Sequence, residues 1–537
     1  MGRLHHEPET LRVNPRQKIL VATDRVQGAL LVVLVLGSAV CFGGAVWWFP
    51  PAVAGLAFLL VATKLVQLLL VGRMPLLKSP LTLLGLLGLA LGVIQSAPLP
   101  ARLARQVSPI AQEIYATGAW SRLVQADDPE AERPPAAPVR SPATLDRAAT
   151  LRWLVGAAVC LAVFWTVSHY VDRRGRLYWV WGSVVAGFAL NAAFLVVQLS
   201  GQAEGWFGVL LPERPPSWGP SLDDLLGSPT PSALRRLEVA RPVTGTGPAL
   251  DLIAAVPDRP FVFGTMVGGP GALLAMGSMA LPMALAIVLH VLAPRGSRER
   301  LGERLGHAGQ GGFAVLLVSV LVPGAFLAGM TAGPWLCPPL AGAIAMVGLP
   351  GARGPGGRWS AIGLTILAMM ALGLGAATVS AWPLVVGGQP PVAPVSWEAA
   401  RRAWAEGLAI VRDFPWLGSG FGSFATIQAY YKTQDSPAGF APGSLLRCGA
   451  EAGLAGLSLL ALGVLWSLAR LPGCLRRVGS ADRSLALGLI GALAGLGLWS
   501  ALHWTVELPA VAIAASALGG TWNRWMAGGT DLFVERG

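Results

Sequence analysis

Apolar residues in this chain come in long unbroken runs, not in alternation with polar ones. About a dozen runs of roughly twenty residues are separated by polar loops, the first reading Ala29 to Phe49 and the last Leu508 to Trp525. A helix rising 1.5 Å per residue needs about twenty residues to cross roughly 30 Å of hydrocarbon. In lipid only a helix or a closed barrel satisfies its own backbone polar groups. Barrel strands would alternate apolar and polar positions, which these runs do not. The pattern predicts an all-α, polytopic integral membrane bundle of about twelve transmembrane helices. The spans read as roughly 28–48, 52–72, 79–97, 151–171, 177–199, 270–293, 312–331, 335–350, 359–384, 445–469, 484–503 and 508–525. A single membrane domain, 28–525, is then flanked by tails 1–27 and 526–537.

Composition agrees: 54% of residues are hydrophobic and only 13% charged, against about 25% charged in a soluble domain. A net charge of +12 would suit nucleic acid, but the basic residues sit in short turns at alternate helix ends. Arg73 and Lys78, Arg173 to Arg176, Arg295 to Arg304, Arg353 and Arg358, and Arg470 to Arg483 occupy every second connection. This positive-inside pattern predicts membrane lipids as surroundings, no nucleic acid partner, and both termini in the cytoplasm. The polar start MGRLHHEPET lacks the short apolar core of a cleavable signal, so the first span reads as a retained anchor. The five cysteines have no ligand or disulfide-framework spacing and read as small apolar fillers.

Three long loops, 98–150, 200–268 and 385–444, then face outward. The first two carry Pro-rich runs and read as irregular covers. The third contains an amphipathic helix over 396–412, opened by Ser396 and closed by Asp413-Phe-Pro415. At about 100° per residue, Trp397, Arg401, Trp404, Leu408 and Val411 share one face and Arg402 points away. A guanidinium on an apolar face needs an anion or an interface. Arg401 is therefore either an anion ligand or a residue of an interfacial helix that snorkels to headgroups. After it comes Gly418-Ser-Gly-Phe-Gly422, a tight turn that lacks the strand and lysine of a phosphate loop.

The order of these pieces is more specific than any one of them. Residues 397–424, WEAARRAWAEGLAIVRDFPWLGSGFGSF, are followed by Tyr430-Tyr431 and by Glu451-Ala-Gly-Leu-Ala-Gly456. This succession resembles the O-antigen ligase and polymerase family, with its tryptophan helix, D-x-P-x-x-G-x-G-x-G-x-F turn and E-x-G-x-x-G helix opening. Gln95-Ser-Ala-Pro-Leu-Pro100 with Ser108-Pro109 is similar to the segment ending the family's third span, and His503 with Leu508-Pro509 to its last helix turn. The resemblance is thin over most of the chain and strong over 395–456. It implies location in a bacterial inner membrane and a partner glycan carried on undecaprenyl pyrophosphate. That glycan would pass to lipid A core or to another glycan chain at the outer face. It also implies arginines for the pyrophosphate, a histidine base, and neither metal nor other cofactor.

Several family positions are altered. The family's His-Asn pair falls at Pro442 and Gly443, and its helix arginine falls at Ala400, beside Arg401. The candidate pyrophosphate ligands are Arg401, Arg402, Arg412 and Arg447. Arg447 stands one turn before Glu451 and either binds phosphate or pairs with that carboxylate. His503 is the one histidine placed on the outer side, as a candidate base or as a hydrogen-bonded helix end. Lys64, Gln67, Asn191 and Gln198 are polar within spans, as functional groups or as interhelical glue.

Three functions remain open from the sequence: a lipid-linked glycan transferase, a catalytically degenerate relative kept for binding or assembly, and a secondary transporter. The last predicts helices broken at mid-membrane and an internal repeat, and neither is evident in the sequence. Cysteine labelling at positions 300 and 425 should report opposite sides of the membrane. Labelling from the same side would overturn the twelve-span topology.

Overall fold

A computed structural model describes residues 15–41, 49–72, 79–112, 140–199, 262–263, 266–267, 269–292, 308–332, 337–351, 358–385, 397–431, 443–479, 482–502 and 508–528. Of the two predicted tails, residues 1–14 and 529–537 lie outside these residues, as do most of the first two predicted outer loops and the cap Ser396. Residues 15–27, by contrast, are helical and begin α1, so the first helix starts earlier than the span read from 28. Among the described residues the chain is all-α apart from two short antiparallel pairs. Its helices are α1 Pro15–Val40, α2 Phe49–Val71, α3 Leu81–Ser96, α4 Ala101–Val107, α5 Arg147–Tyr170 and α6 Arg174–Leu199. Then follow α7 Gly269–Leu292, α8 Ala308–Ala332, α9 Cys337–Gly351, α10 Arg358–Val385, α11 Trp397–Asp413, α12 Phe424–Tyr431, α13 Ser444–Arg477, α14 Arg483–Leu502 and α15 Pro509–Gly528. Strand β1, Leu99–Pro100, pairs with β2, Arg140–Ser141; β3, Val262–Phe263, pairs with β4, Met266–Val267.

Seven helices among the described residues are long and apolar enough to cross a membrane: α1, α2, α5, α6, α7, α13 and α14. All of α3 and parts of α8 and α10 form shorter apolar segments. The lengths and the exposed leucines and valines along α2, α3, α10 and α13 make this a multi-pass membrane protein. Helix α7 is its axis. Its apolar window is wholly buried, packed by α6, α8, α9 and α14.

With no hydrophobic drive between helices in lipid, close backbone approach does the packing. On α14, Gly488, Gly491 and Gly495 lie against Ala286, Pro282 and Ser278 of α7. On α8 and α10, Gly329 sits under the Leu372 carbonyl and Gly375 under the Phe326 carbonyl, a reciprocal pair with no room for a Cβ. Polar groups clamp the remaining seams. Asn191 donates to the carbonyls of Ala39 (3.1 Å) and Gly187 (2.8 Å), and Asn523 to the Ser168 hydroxyl (3.0 Å). Lys64 donates to Gln67 Oε1 at 2.8 Å, and Gln27 reaches the same oxygen at 3.4 Å. Lys64, Gln67 and Asn191 thus serve as glue between or within helices, while the side chain of Gln198 lies outside the described set.

One end of the bundle is tied by ion pairs. Arg176 bridges Asp24 (2.8 Å) and Asp172 (3.0 Å), and Arg174 holds Asp482 at 2.9 Å. The other end carries the glycine-rich turn. Replacing Gly375 by valine should drive α8 and α10 apart and destabilise the protein by about 1–3 kcal/mol. Exposed Gly373 has nothing within 4 Å of a Cβ position, so Gly373→Ala should leave the thermal midpoint in detergent unchanged or raised. Equal losses from both would refute the tight crossing.

Candidate functional site: a glycine turn set into a broken helix

Helix α13 is interrupted at Gly453, whose φ of 61° and ψ of −158° no helix contains. This break lies inside an apolar run, with no local pattern to mark it. It strands backbone groups of the preceding and following turns, and in lipid each must find a partner. The turn after α11 supplies them. Ser419 N–H donates to Ala450 O (2.8 Å) and Gly420 N–H to Glu451 O (3.0 Å). In the other direction Leu454 N–H donates to Pro415 O (2.7 Å) and Ala455 N–H to Trp416 O (3.2 Å). Gly418, at φ 73°, packs on the Glu451 carbonyl, and Gly453 packs on that of Trp416. A Cβ on either would separate the two segments.

Gln95, at the end of α3, locks this joint. Its amide nitrogen donates to Leu417 O (2.6 Å) and Glu451 O (2.9 Å), and its Oε1 accepts from Phe421 N–H (3.1 Å). Its own carbonyl accepts from Ala143 and Thr144 N–H, and Leu145 N–H donates to Ser419 O (2.9 Å). The described parts of the predicted loop 98–150 are thus closed by β1–β2 and joined to the turn. Asp146 caps α5 through Ala149 N–H (2.8 Å) and accepts from Thr426 Oγ1 (3.1 Å). Trp153 of α5 stacks on Phe421, with ring centroids 3.7 Å apart.

The Glu451 carboxylate sits inside this assembly, 3% exposed. Oε2 accepts from Gly422 N–H (2.9 Å); Oε1 accepts from Phe424 N–H (3.0 Å), the first residue of α12, and from Arg447 Nε (2.9 Å). The Arg447 guanidinium lies 5.4 Å from the centre of the Phe424 ring. Of the two sequence readings of Arg447, the pairing with Glu451 is the one observed. Buried and paired in this way, Arg447 braces the joint.

The amphipathic helix is also present, as α11, but its packed face differs from the sequence reading. Glu406, Gly407, Ile410 and Phe414 are buried, whereas Arg401, Leu408 and Arg412 are exposed along one face, and Arg402 is exposed beside it. Arg401 does not lie beneath its helix. Tyr431 of α12 donates to Asp413, and Gln428 of α12 reaches Glu406 at 3.5 Å, which pulls the Glu406 face inward. Burial, aided by the hydrogen bond to Asp413, pushes the Tyr431 phenol above its ordinary value. Further exposed arginines, unremarked in the sequence reading, lie near the joint: Arg102 and Arg105 on α4, and Arg147 and Arg152 on the first turns of α5.

His503 and Pro442 lie outside the described residues; Gly443 caps the start of α13. Among the described residues no group of three or more His, Cys, Asp or Glu could hold a metal ion. No protein-family model matches the chain, and no curated protein matches its sequence. The chemical offer is a rigid buried joint with exposed guanidiniums around it.

Glu451→Ala would leave Arg447 and two amides buried without their acceptor. Breaking a buried pair typically costs about 3–5 kcal/mol, so the variant should lose most of its thermal stability in detergent. Arg401→Ala and Arg402→Ala should leave the unfolding midpoint nearly unchanged.

Proposed function

We propose that this protein handles glycan carried on undecaprenyl pyrophosphate at the outer face of a bacterial inner membrane. In this reading it has twelve spans and cytoplasmic termini. One observation carries it. The scattered residues behind the family resemblance, Gln95, Gly418 to Gly422, Glu451 and Gly453, all belong to one hydrogen-bonded unit. A resemblance of chance pieces gives no reason for those pieces to meet.

The chemistry follows from charge. A pyrophosphate leaving group is best held by guanidiniums, whose planar fork matches its oxygens. Arg401 and Arg412, on one exposed face of α11, with Arg402 beside them, are the groups assigned to it. Transfer requires an acceptor hydroxyl, from lipid A core or from glycan, to attack the anomeric carbon as the glycosyl–pyrophosphate bond breaks. The hydroxyl proton then goes to a base. Proline at 442 and glycine at 443 supply none, which leaves His503. Glycan binding with slow or lost transfer is the form of the function that fits these substitutions. The transporter alternative loses ground for a physical reason. A transporter's broken helix opens its freed groups toward a substrate, whereas at Gly453 they are filled by the protein's own turn.

Binding can be measured with purified protein and an undecaprenyl-pyrophosphate glycan. Arg401→Ala combined with Arg412→Ala should weaken it about ten- to a hundredfold, the usual effect of losing charged hydrogen bonds. Unchanged affinity would refute the assignment.

Turnover with added acceptor should be weak in the wild type and abolished by His503→Ala. General-base catalysis contributes about 10²–10⁴-fold, so a gain in Pro442→His would identify an eroded site. Robust turnover indifferent to His503→Ala would overturn the account of the missing base. Absence of turnover in every variant, with binding retained, would leave the non-catalytic form.

A further inference from the structure

Four arginines at the glycine-turn end are exposed and make no hydrogen bond or ion pair among the described residues: Arg102 and Arg105 on α4, and Arg147 and Arg152 at the head of α5. The acids nearest them in the fold are already engaged. Asp146 caps α5 and accepts from Thr426, while Glu451 holds Arg447 and two backbone amides. Strand pairing gathers the four at one place, because Leu99, just ahead of α4, pairs with Ser141, just ahead of α5. Like charges gathered without counter-ions repel one another.

The same elements turn apolar side chains outward. On α5, Arg147, Leu151, Arg152 and Val155 share one exposed side at about 100° per residue, with Leu151 46% and Val155 53% exposed. Leu103 is exposed between the two arginines of α4, and Val93 and Ile94 are exposed at the end of α3, which packs against α5. This surface runs on into exposed leucines farther along α3, on the face that a multi-pass protein shows to lipid. An apolar face that ends in cations fits the level at which hydrocarbon gives way to headgroups.

We infer that these four guanidiniums hold the phosphates of anionic lipids in the surrounding leaflet, and that the bound lipids fasten the glycine turn. Charge complementarity and continuity with the lipid-facing surface select this occupant. Arginine's planar fork takes two phosphate oxygens at once. None of the four is among the arginines assigned to the pyrophosphate, so this lipid site stands apart from the proposed function. The link to the turn is short. Leu145 N–H donates to Ser419 O, Asp146 accepts from Thr426, and Trp153 stacks on Phe421. Phosphates on Arg147 and Arg152 thereby pin the segment against which the turn rests.

The experiment uses the full chain in phosphatidylcholine nanodiscs doped with a phosphatidylglycerol that bears a diazirine near its headgroup. Photolabelled peptides are mapped with excess phosphatidylglycerol, phosphatidylcholine or inorganic phosphate as competitor. Labelling should concentrate on α4 and the head of α5 and yield to phosphatidylglycerol only. Each cation near an anionic surface contributes roughly fivefold. Labelling there should therefore fall at least about tenfold when Arg102, Arg105, Arg147 and Arg152 are all replaced by glutamine. Arg476→Gln with Arg477→Gln, exposed at the other end of the bundle, should leave it unchanged. Phosphatidylglycerol should also raise the unfolding midpoint of the wild type by at least about 2 °C, and not that of the fourfold variant. Equal competition by phosphatidylcholine, or equal loss in the Arg476/Arg477 variant, would reduce the site to general contact with lipid and overturn the inference. Competition by inorganic phosphate would make it a soluble-anion site and overturn it too. Labelling without any rise in midpoint would overturn the fastening of the turn. Where the fourfold variant fails to fold, Arg147→Gln with Arg152→Gln and the wild-type competition decide.

Discussion

A backbone group shut away from water needs a partner within the protein, and this constraint organises the end of the molecule that carries the glycine turn. The break at Gly453 exposes carbonyls at Ala450 and Glu451 and amides at Leu454 and Ala455. Each is satisfied by the turn over residues 415–420 or by Gln95. The turn in turn needs positive φ at Gly418, Gly420 and Gly422 to present its amides in that direction. Break and turn therefore presuppose one another. Neither is a stable arrangement alone, and Glu451 joins them by accepting from both the turn and the start of α12.

Burial sorts the arginines into two kinds. Arg447 is held against a carboxylate and an aromatic ring, so its charge is consumed within the fold. At the opposite end Arg174 and Arg176 are consumed similarly by Asp482, Asp24 and Asp172. The arginines along α11, α4 and the head of α5 are exposed. These present their guanidiniums at the protein surface.

The long apolar helices, seven of them among the described residues, were legible because hydrocarbon thickness imposes a length on an apolar run, whatever the packing within. The Arg447–Glu451 pair was legible for an equally local reason, the spacing of one helical turn. Orientation of α11 was not. Hydrophobicity alone points Leu408 inward, but Glu406 finds a partner in Gln428 and the small Gly407 permits close approach, so the opposite face is buried. Gln95 stood in the sequence as an amide closing an apolar run, a visible signal whose three partners are set by tertiary structure. The break at Gly453 was hidden because glycine is common in membrane helices and only contact with a distant segment turns one into an interruption.

Gln95 and Glu451 are 356 residues apart, which bears on how the chain is made. At ~5–20 residues per second, about 20–70 s separates their emergence from the ribosome. Through that interval α3 waits in or near the bilayer with its terminal amide unmatched, and α5 has no turn to stack upon. The joint closes only after α11, α12 and the first turns of α13 have been delivered. Assembly of this protein thus has a late step at the glycine turn, and partly synthesised chains hold helices there without the joint that fastens them.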